Sequence, residues 1–213
     1  MPFDYEINPQ KIEENSFQQI RQLTNLAKYD REQQQVVMRI VHSLGMPSLS
    51  EQVRFSERAC EAGMAALQAN CTILCDVEMV KQGVTKRMIT QEPLCYLNHP
   101  DVAAQAKALG ETRSMTALAK WQPTLAGSVV LIGNAPTALF RLLELLESGA
   151  DKPALIIGMP VGFVGSAESK QALWDVHQSL GVECITLLGR EGGSAVTAAT
   201  CNALLRCNRN EYY

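Results

Sequence analysis

The sequence predicts an α/β protein whose largely parallel, open sheet is flanked by helices on both faces, with a helical segment at its N-terminal end. Three observations carry this. The short strand-type runs of the second half are apolar throughout instead of alternating, as strands covered on both faces are. The last three are each followed by a turn and then a helical stretch of about a dozen residues, the rhythm of parallel crossover units. Residues 8–69, by contrast, have apolar positions at helical spacing and no strand-type run.

In chain order, Asn8 before Pro9 predicts a helix start. Ile12, Ile20, Leu23, Leu26 and Ala27 then fall on one face through residue 28. Asp30 caps a second helix running to Leu44, which Gly45 and Pro47 terminate. An alanine-rich third helix spans Glu57 to Gln68. "CTILCD" and "LCYL" are strand-type runs. "GETRSMTALAKW" opens a short helix with Thr112, Arg113 and Ser114 at its start. Three strand–turn–helix units follow: "SVVLIG" with residues 135–148, "ALIIGMP" with 166–180, and "CITLLG" with 194–206. Residues 1–207 are expected to form one domain and 208–213 a polar tail. In such a sheet, ligands bind along the edge where the strands end.

Composition excludes several classes. With 46% hydrophobic and 19% charged residues the chain is neither disordered nor fibrous. A net charge of −3 supplies no basic field for nucleic acid or anionic lipid. The first residues are too polar for a secretory signal, and no apolar run reaches the roughly 18–20 residues of a membrane span. The seven cysteines include no C-x-x-C pair, so they read as apolar fillers in a reducing, cytoplasmic compartment.

Among three histidines, His42 has the most suggestive setting. Val37, Ile40, Val41 and Leu44 form the apolar stripe of the second helix, and His42 lies about 150° away at 100° per residue. It shares its side with Arg39, Gln35 and Met38, so it is not a core histidine. It is either a solvated residue near a helix C-terminus or a general acid, since an imidazole titrates near neutrality. Arg39 beside it could hold a substrate carboxylate. Ser16 falls among the apolar positions of the first helix, where a serine either bonds back to the carbonyl four residues earlier or points into a pocket. His99, in a turn, and His177, on a helix, are assigned no role.

The turns "IGNAPT", "GMPVGFVGS" and "GREGGS" lead into helices whose free N–H groups can receive anions. None spells a dinucleotide fingerprint or phosphate loop, so a nucleotide-using enzyme is weakly supported. Arg87, Arg113 and Arg190 lie in or beside loops. Gathered near one sheet edge they would suit a polycarboxylate. No metal-ligand spacing is present.

Read together, "ILCDVEMVKQGVT", "GETRSMTAL", "LAGSVVLIGNAPTALFRLLELL", "GMPVGFVGSAESK" and "GREGGSAVTAA" resemble the precorrin-8X (cobalt-precorrin-8) methylmutase family, from about residue 4 to 206. The resemblance implies an isomerase of corrin biosynthesis. It would shift a methyl group from C-11 to C-12 of a polycarboxylate tetrapyrrole with acid assistance and without an external cofactor. It makes His42, in "RIVH", the proton donor, and Arg39 and Ser16 substrate contacts. Thr85 and Arg113, in shared motifs, join the pocket. It also implies a homodimer with pockets near the subunit boundary. A non-catalytic tetrapyrrole carrier using the same pocket is the alternative.

Overall fold

A computed structural model describes residues 3–213. Six strands form one sheet: β1 (Val53–Phe55), β2 (Ile73–Cys75), β3 (Leu94–Cys95), β4 (Val129–Ile132), β5 (Leu155–Gly158) and β6 (Cys184–Leu187), in the order β1-β6-β5-β4-β2-β3. All pairs are parallel except β1 against β6. The chain turns back at β2: β3 lies on one side of it, and β4, β5 and β6 extend on the other. The gap between the ends of β2 and β4 is therefore the topological switch point, where open α/β sheets usually place a ligand.

Alternation along the strands makes two cores. Val129, Leu131, Leu155, Ile157 and Ile185 face one layer; Val130, Ile132, Ile156 and Cys184 face the other, all 0% exposed. Each such aliphatic side chain contributes about 1.5–3 kcal/mol by leaving water, which is why these runs carry no polar phase. The first layer holds α1 (Pro9–Leu23), α2 (Arg31–Leu44), α3 (Ala59–Gln68), α4 (Glu78–Gly83) and α10 (Ser194–Asn208). Beyond the second core lie α6 (Arg113–Ala117), α7 (Gln122–Leu125), α8 (Pro136–Glu147) and α9 (Ser166–Leu180), with α5 (Pro100–Leu109) beside α6.

The start and stop of α2 follow local chemistry. Asp30 accepts from Gln33 N at 2.8 Å while the Gln33 side chain accepts from Asp30 N, a reciprocal cap. Gly45, at φ +67°, takes the left-handed turn that ends the helix and donates to Val41 O at 2.8 Å. The turn between β6 and α10 needs glycine for another reason. A Cβ on Gly192 would lie 2.3 Å from Met159 O, so only a bare backbone lets that turn pack on the end of β5.

Several elements depart from the sequence expectation. Strand β1 lies inside the stretch read as wholly helical; three residues are too few to show alternation, and pairing with β6 alone makes them a strand. Helix α1 stops at Leu23, where Thr24 turns extended, and Leu26 is buried beyond the helix. Ile12 and Leu23 are 46% and 66% exposed, so the buried stripe is Phe17 and Ile20. On α2, Gln35 and Met38 are buried with the apolar stripe because α1 and residues 211–213 cover that side. Helices α4 and α5 were not anticipated; His99 caps α5, its Nδ1 accepting from Asp101 N. The stretch read as a polar tail lies against α2: Tyr213 N donates to Gln35 Oε1 at 3.0 Å, and Gln35 Nε2 donates to Tyr213 O at 3.1 Å. Among the described residues, no helix is long and apolar enough to cross a membrane.

Candidate functional site

His42 occupies the last turn of α2 and is exposed, although Met38, one turn before it on the same side, is buried. Its ring stacks on Phe17 of α1, centroids 5.2 Å apart and planes within 13°. Phe17 stacks in turn on Tyr213 at 4.1 Å and 11°. The Arg39 guanidinium, one helical turn before His42, lies 4.5 Å from the Phe17 ring centre and 4.9 Å from that of Tyr213. Each aromatic pair of this kind adds about 0.5–1.5 kcal/mol beyond the burial of its area. Phe17 is consequently 2% exposed although it projects from a helix at the molecular surface.

The charges of this cluster meet at Glu13. Arg39 Nη2 is 2.9 Å from Glu13 Oε1, and Arg206 Nη2 is 3.8 Å from the same oxygen. Arg206 also pairs with Glu211 at 3.0 Å and donates to the Tyr213 hydroxyl at 3.4 Å. Burial pushes the Glu13 carboxyl up, but the Tyr213 hydroxyl and the Arg39 and Arg206 guanidinium groups outweigh it and hold the carboxyl below its ordinary value. Arg21 donates to the Tyr213 carbonyl. A groove of about 340 Å³ opens here, lined by Glu14, Phe17, Gln18, Arg21, Tyr212 and Tyr213.

The other expected site residues are distributed around this cluster. Ser16, beside Phe17, donates its hydroxyl to Ile12 O at 2.7 Å, the local bond usual for a helical serine. Thr85 follows α4, its N–H donating to Asn202 Oδ1 at 2.8 Å. Asn202 and Arg206 are one turn apart on α10, so the Thr85 loop and the Glu13 cluster lie along one side of that helix. Arg113 is exposed at the start of α6, in the opposite layer, where Thr112 meets Thr137 at 2.9 Å. The single chain therefore does not bring Arg113 to His42. Nor do the three loop arginines share an edge. Arg190 sits beyond the end of β6, whereas Arg87 lies close enough to Glu211, past the far end of α10, to favour that carboxylate.

At the switch point the expected anion pocket is filled by the chain itself. Asp76, 2% exposed, accepts from Gly133 N at 3.1 Å, Asn134 N at 2.8 Å and Ala135 N at 2.9 Å. Burial pushes its carboxyl up against the pull of these N–H groups. The free N–H groups in "GNAPT" thus already hold a carboxylate, and a nucleotide phosphate has no place there. The turn after β6 is tied to α9 by a fully buried lysine: Lys170 Nζ donates to Glu191 O, and burial brings its ammonium down to about 8. Among the described residues, no group of three or more His, Cys, Asp or Glu side chains is placed to hold a metal ion.

Phe17, Glu13, Arg206 and Tyr213 were not singled out from the sequence. Glu13 and Phe17 could have been found by placing them one turn apart on α1 beside Ser16. Nothing in the sequence pairs Tyr213 with Gln35.

Fold and site together define a doubly wound α/β enzyme whose nucleotide position is self-filled, and whose cationic and imidazole groups stand on the helical layer. The chain belongs to the precorrin-8X methylmutase family, whose model matches residues 11–207. It is 49% identical over 203 residues to the precorrin-8X methylmutase of Pseudomonas aeruginosa, covering 94% of this chain and 97% of that one. It is 38% identical to the cobalt-precorrin-8 methylmutase of Priestia megaterium, covering 93% and 88%. The solved precorrin-8X methylmutase of Thermus thermophilus superimposes with a TM-score of 0.85 at 36% identity, covering 96% and 98%. The chain is accordingly an isomerase of cobalamin biosynthesis, as the resemblance implied, and the carrier alternative finds no support.

Proposed function

We propose that this isomerase moves the C-11 methyl group of precorrin-8X, or of its cobalt form, to C-12, giving hydrogenobyrinic or cobyrinic acid. In the [1,5]-sigmatropic step the C-11–methyl bond breaks as the C-12–methyl bond forms, and no external group is consumed. His42 lends a proton to the conjugated ring system, drawing electron density from the migrating centre, and regains it afterwards. General acid assistance of this type contributes roughly 10²–10⁴-fold. The carrying observation is the placement of an exposed imidazole one turn from Arg39, whose partner is a solvent-accessible carboxylate. A substrate carboxylate can replace Glu13 on Arg39, because it keeps the covered guanidinium paired while the Glu13 side chain, 38% exposed, turns out to water. Ser16, by turning its hydroxyl, joins Arg39, and Thr85 lines the same side.

Arg113, in the opposite layer, would reach such a pocket only from a second copy, so its place in the pocket and a twofold homodimer with pockets at the subunit boundary stand or fall together. The higher identity to relatives named for the metal-free substrate (49% and 48%, against 38%) supports precorrin-8X over its cobalt form. The protein is expected to work in the cytoplasm on this tetrapyrrole, with no nucleic acid partner.

Purified His42→Ala, mixed with precorrin-8X and followed by absorption, tests the reading. The variant is expected to bind pigment while turnover falls by about 10²–10⁴-fold. Turnover at the wild-type rate would remove the imidazole from the mechanism. Parallel incubations with the metal-free and cobalt-bearing substrates decide between the two forms.

A further inference from the structure

The family model ends at residue 207, yet residues 211–213 are tied into the His42 cluster. Tyr213 exchanges two main-chain hydrogen bonds with the Gln35 amide, accepts from Arg21 at its carbonyl, and receives Arg206 at its hydroxyl. Glu211 adds ion pairs to Arg206 at 3.0 Å and Arg209 at 2.8 Å. So many partners fix the Tyr213 ring in place. That ring covers Phe17, and Phe17 is the surface on which the imidazole of His42 rests.

His42 is exposed and has no hydrogen-bond partner among the described side chains and backbone, so stacking is what orients it. Without Tyr213 the Phe17 ring would face water on the side now covered, and would be free to turn. The imidazole resting on it would then lose its fixed plane. Arg39 is held by the same two rings, so its direction depends on Tyr213 too.

We propose that Tyr213 is a positioning residue for His42, setting the plane of the imidazole through Phe17. This rests on the reading of His42 as proton donor. A proton donor must meet the acceptor atom in a narrow range of distance and angle, and a displacement of about 1 Å can cost about a hundredfold in rate.

The test uses the full chain with Tyr213→Ala and Tyr213→Phe, and His42→Ala as the reference. The chain has three histidines, so His42→Ala identifies the His42 ring resonances by their loss. Tyr213→Ala is expected to move those resonances and to lower kcat on precorrin-8X by about ten- to a hundredfold, with a smaller rise in KM because Arg39 loses the same ring. Tyr213→Phe, which restores the ring without its hydroxyl, is expected to return both to wild-type values. Unmoved resonances in Tyr213→Ala overturn the proposal, and so does an unchanged kcat where His42→Ala is inactive. Should His42→Ala turn over normally, the proton-donor reading fails on its own. The resonances of Tyr213→Ala then decide alone whether Tyr213 sets the ring.

Discussion

Asp76 and Glu13 each bring a carboxylate to converging donors, one sealed at the sheet edge and the other at the surface of the helical layer. Asp76 is 2% exposed and faces three backbone N–H groups that cannot move away. The Glu13 side chain is 38% exposed and faces two guanidinium groups on long side chains. The first arrangement is structural, because removing the carboxylate strands buried donors in a low dielectric. The second is more open to exchange, because water reaches its carboxylate and another carboxylate can take its place on the same guanidinium groups. The fold has therefore closed the position where doubly wound sheets usually hold an anion. On the proposed reading, recognition of the substrate acids falls to α1, α2 and their neighbours.

Truncating the sealed carboxylate should have the largest effect. Asp76→Ala leaves three buried N–H groups without an acceptor and should lower unfolding stability by about 3–5 kcal/mol, read from urea midpoints. Asp76→Asn keeps one acceptor oxygen and should lose clearly less. A loss under about 1 kcal/mol in the alanine variant would erase the contrast with Glu13.

Alkaline pH probes the buried side of the same contrast. Burial raises the thiols of Cys184 and Cys201 to about 12 and those of Cys95 and Cys207 to about 11, from an ordinary 9.0. A folded value above the unfolded one means stability is intact below pH 9 and declines as pH rises toward 11–12. Lys170 acts in the opposite sense. Its folded value of about 8 lies below the ordinary 10.5, so its contribution improves between pH 8 and 10.5. Thermal melts at pH 8 and 10 should therefore show a larger loss in Lys170→Met than in the parent protein.

The smallest effect on stability belongs to the exchangeable carboxylate. Glu13→Gln should change it by less than about 1 kcal/mol. Because the Glu13 carboxyl is held below its ordinary 4.5, its small contribution is present above pH 4.5 and fades as pH falls through the lowered value. The variant leaves Arg39 and Arg206 free for substrate, so hydrogenobyrinic acid should bind more tightly, by roughly three- to tenfold at low salt. Weaker binding would show that Glu13 orients Arg39 for the ligand and does not stand in for it.

Much of the fold was legible because burial on both faces leaves a direct mark on composition. The runs around Val129, Leu155 and Cys184, each followed by a helix, sufficed for a covered parallel sheet. Strand β1 was not legible, since Val53–Phe55 has no pattern of its own and becomes a strand by pairing with Ile185–Leu187. His42 and Arg39 stood out because helical spacing puts them on the side opposite the apolar stripe. Ser16 was read with two outcomes, and the bond to Ile12 O is the local one. The face of α1 was misjudged because spacing reveals that an apolar stripe exists, not how wide its neighbour is.

From the sequence alone came the covered parallel sheet, the caps of α2, the exposed imidazole with Arg39 beside it, and the likeness to the methylmutase family. These rest on spacings of a few residues, which the covalent geometry of helix and strand converts directly into direction. Tertiary structure alone decided that Asp76 closes the switch point, that Arg113 stands in the other layer, and that Tyr213 reaches Phe17 and Gln35. Such pairings join residues 57 to 196 positions apart, and at that separation only the packing of whole elements determines which side chains meet.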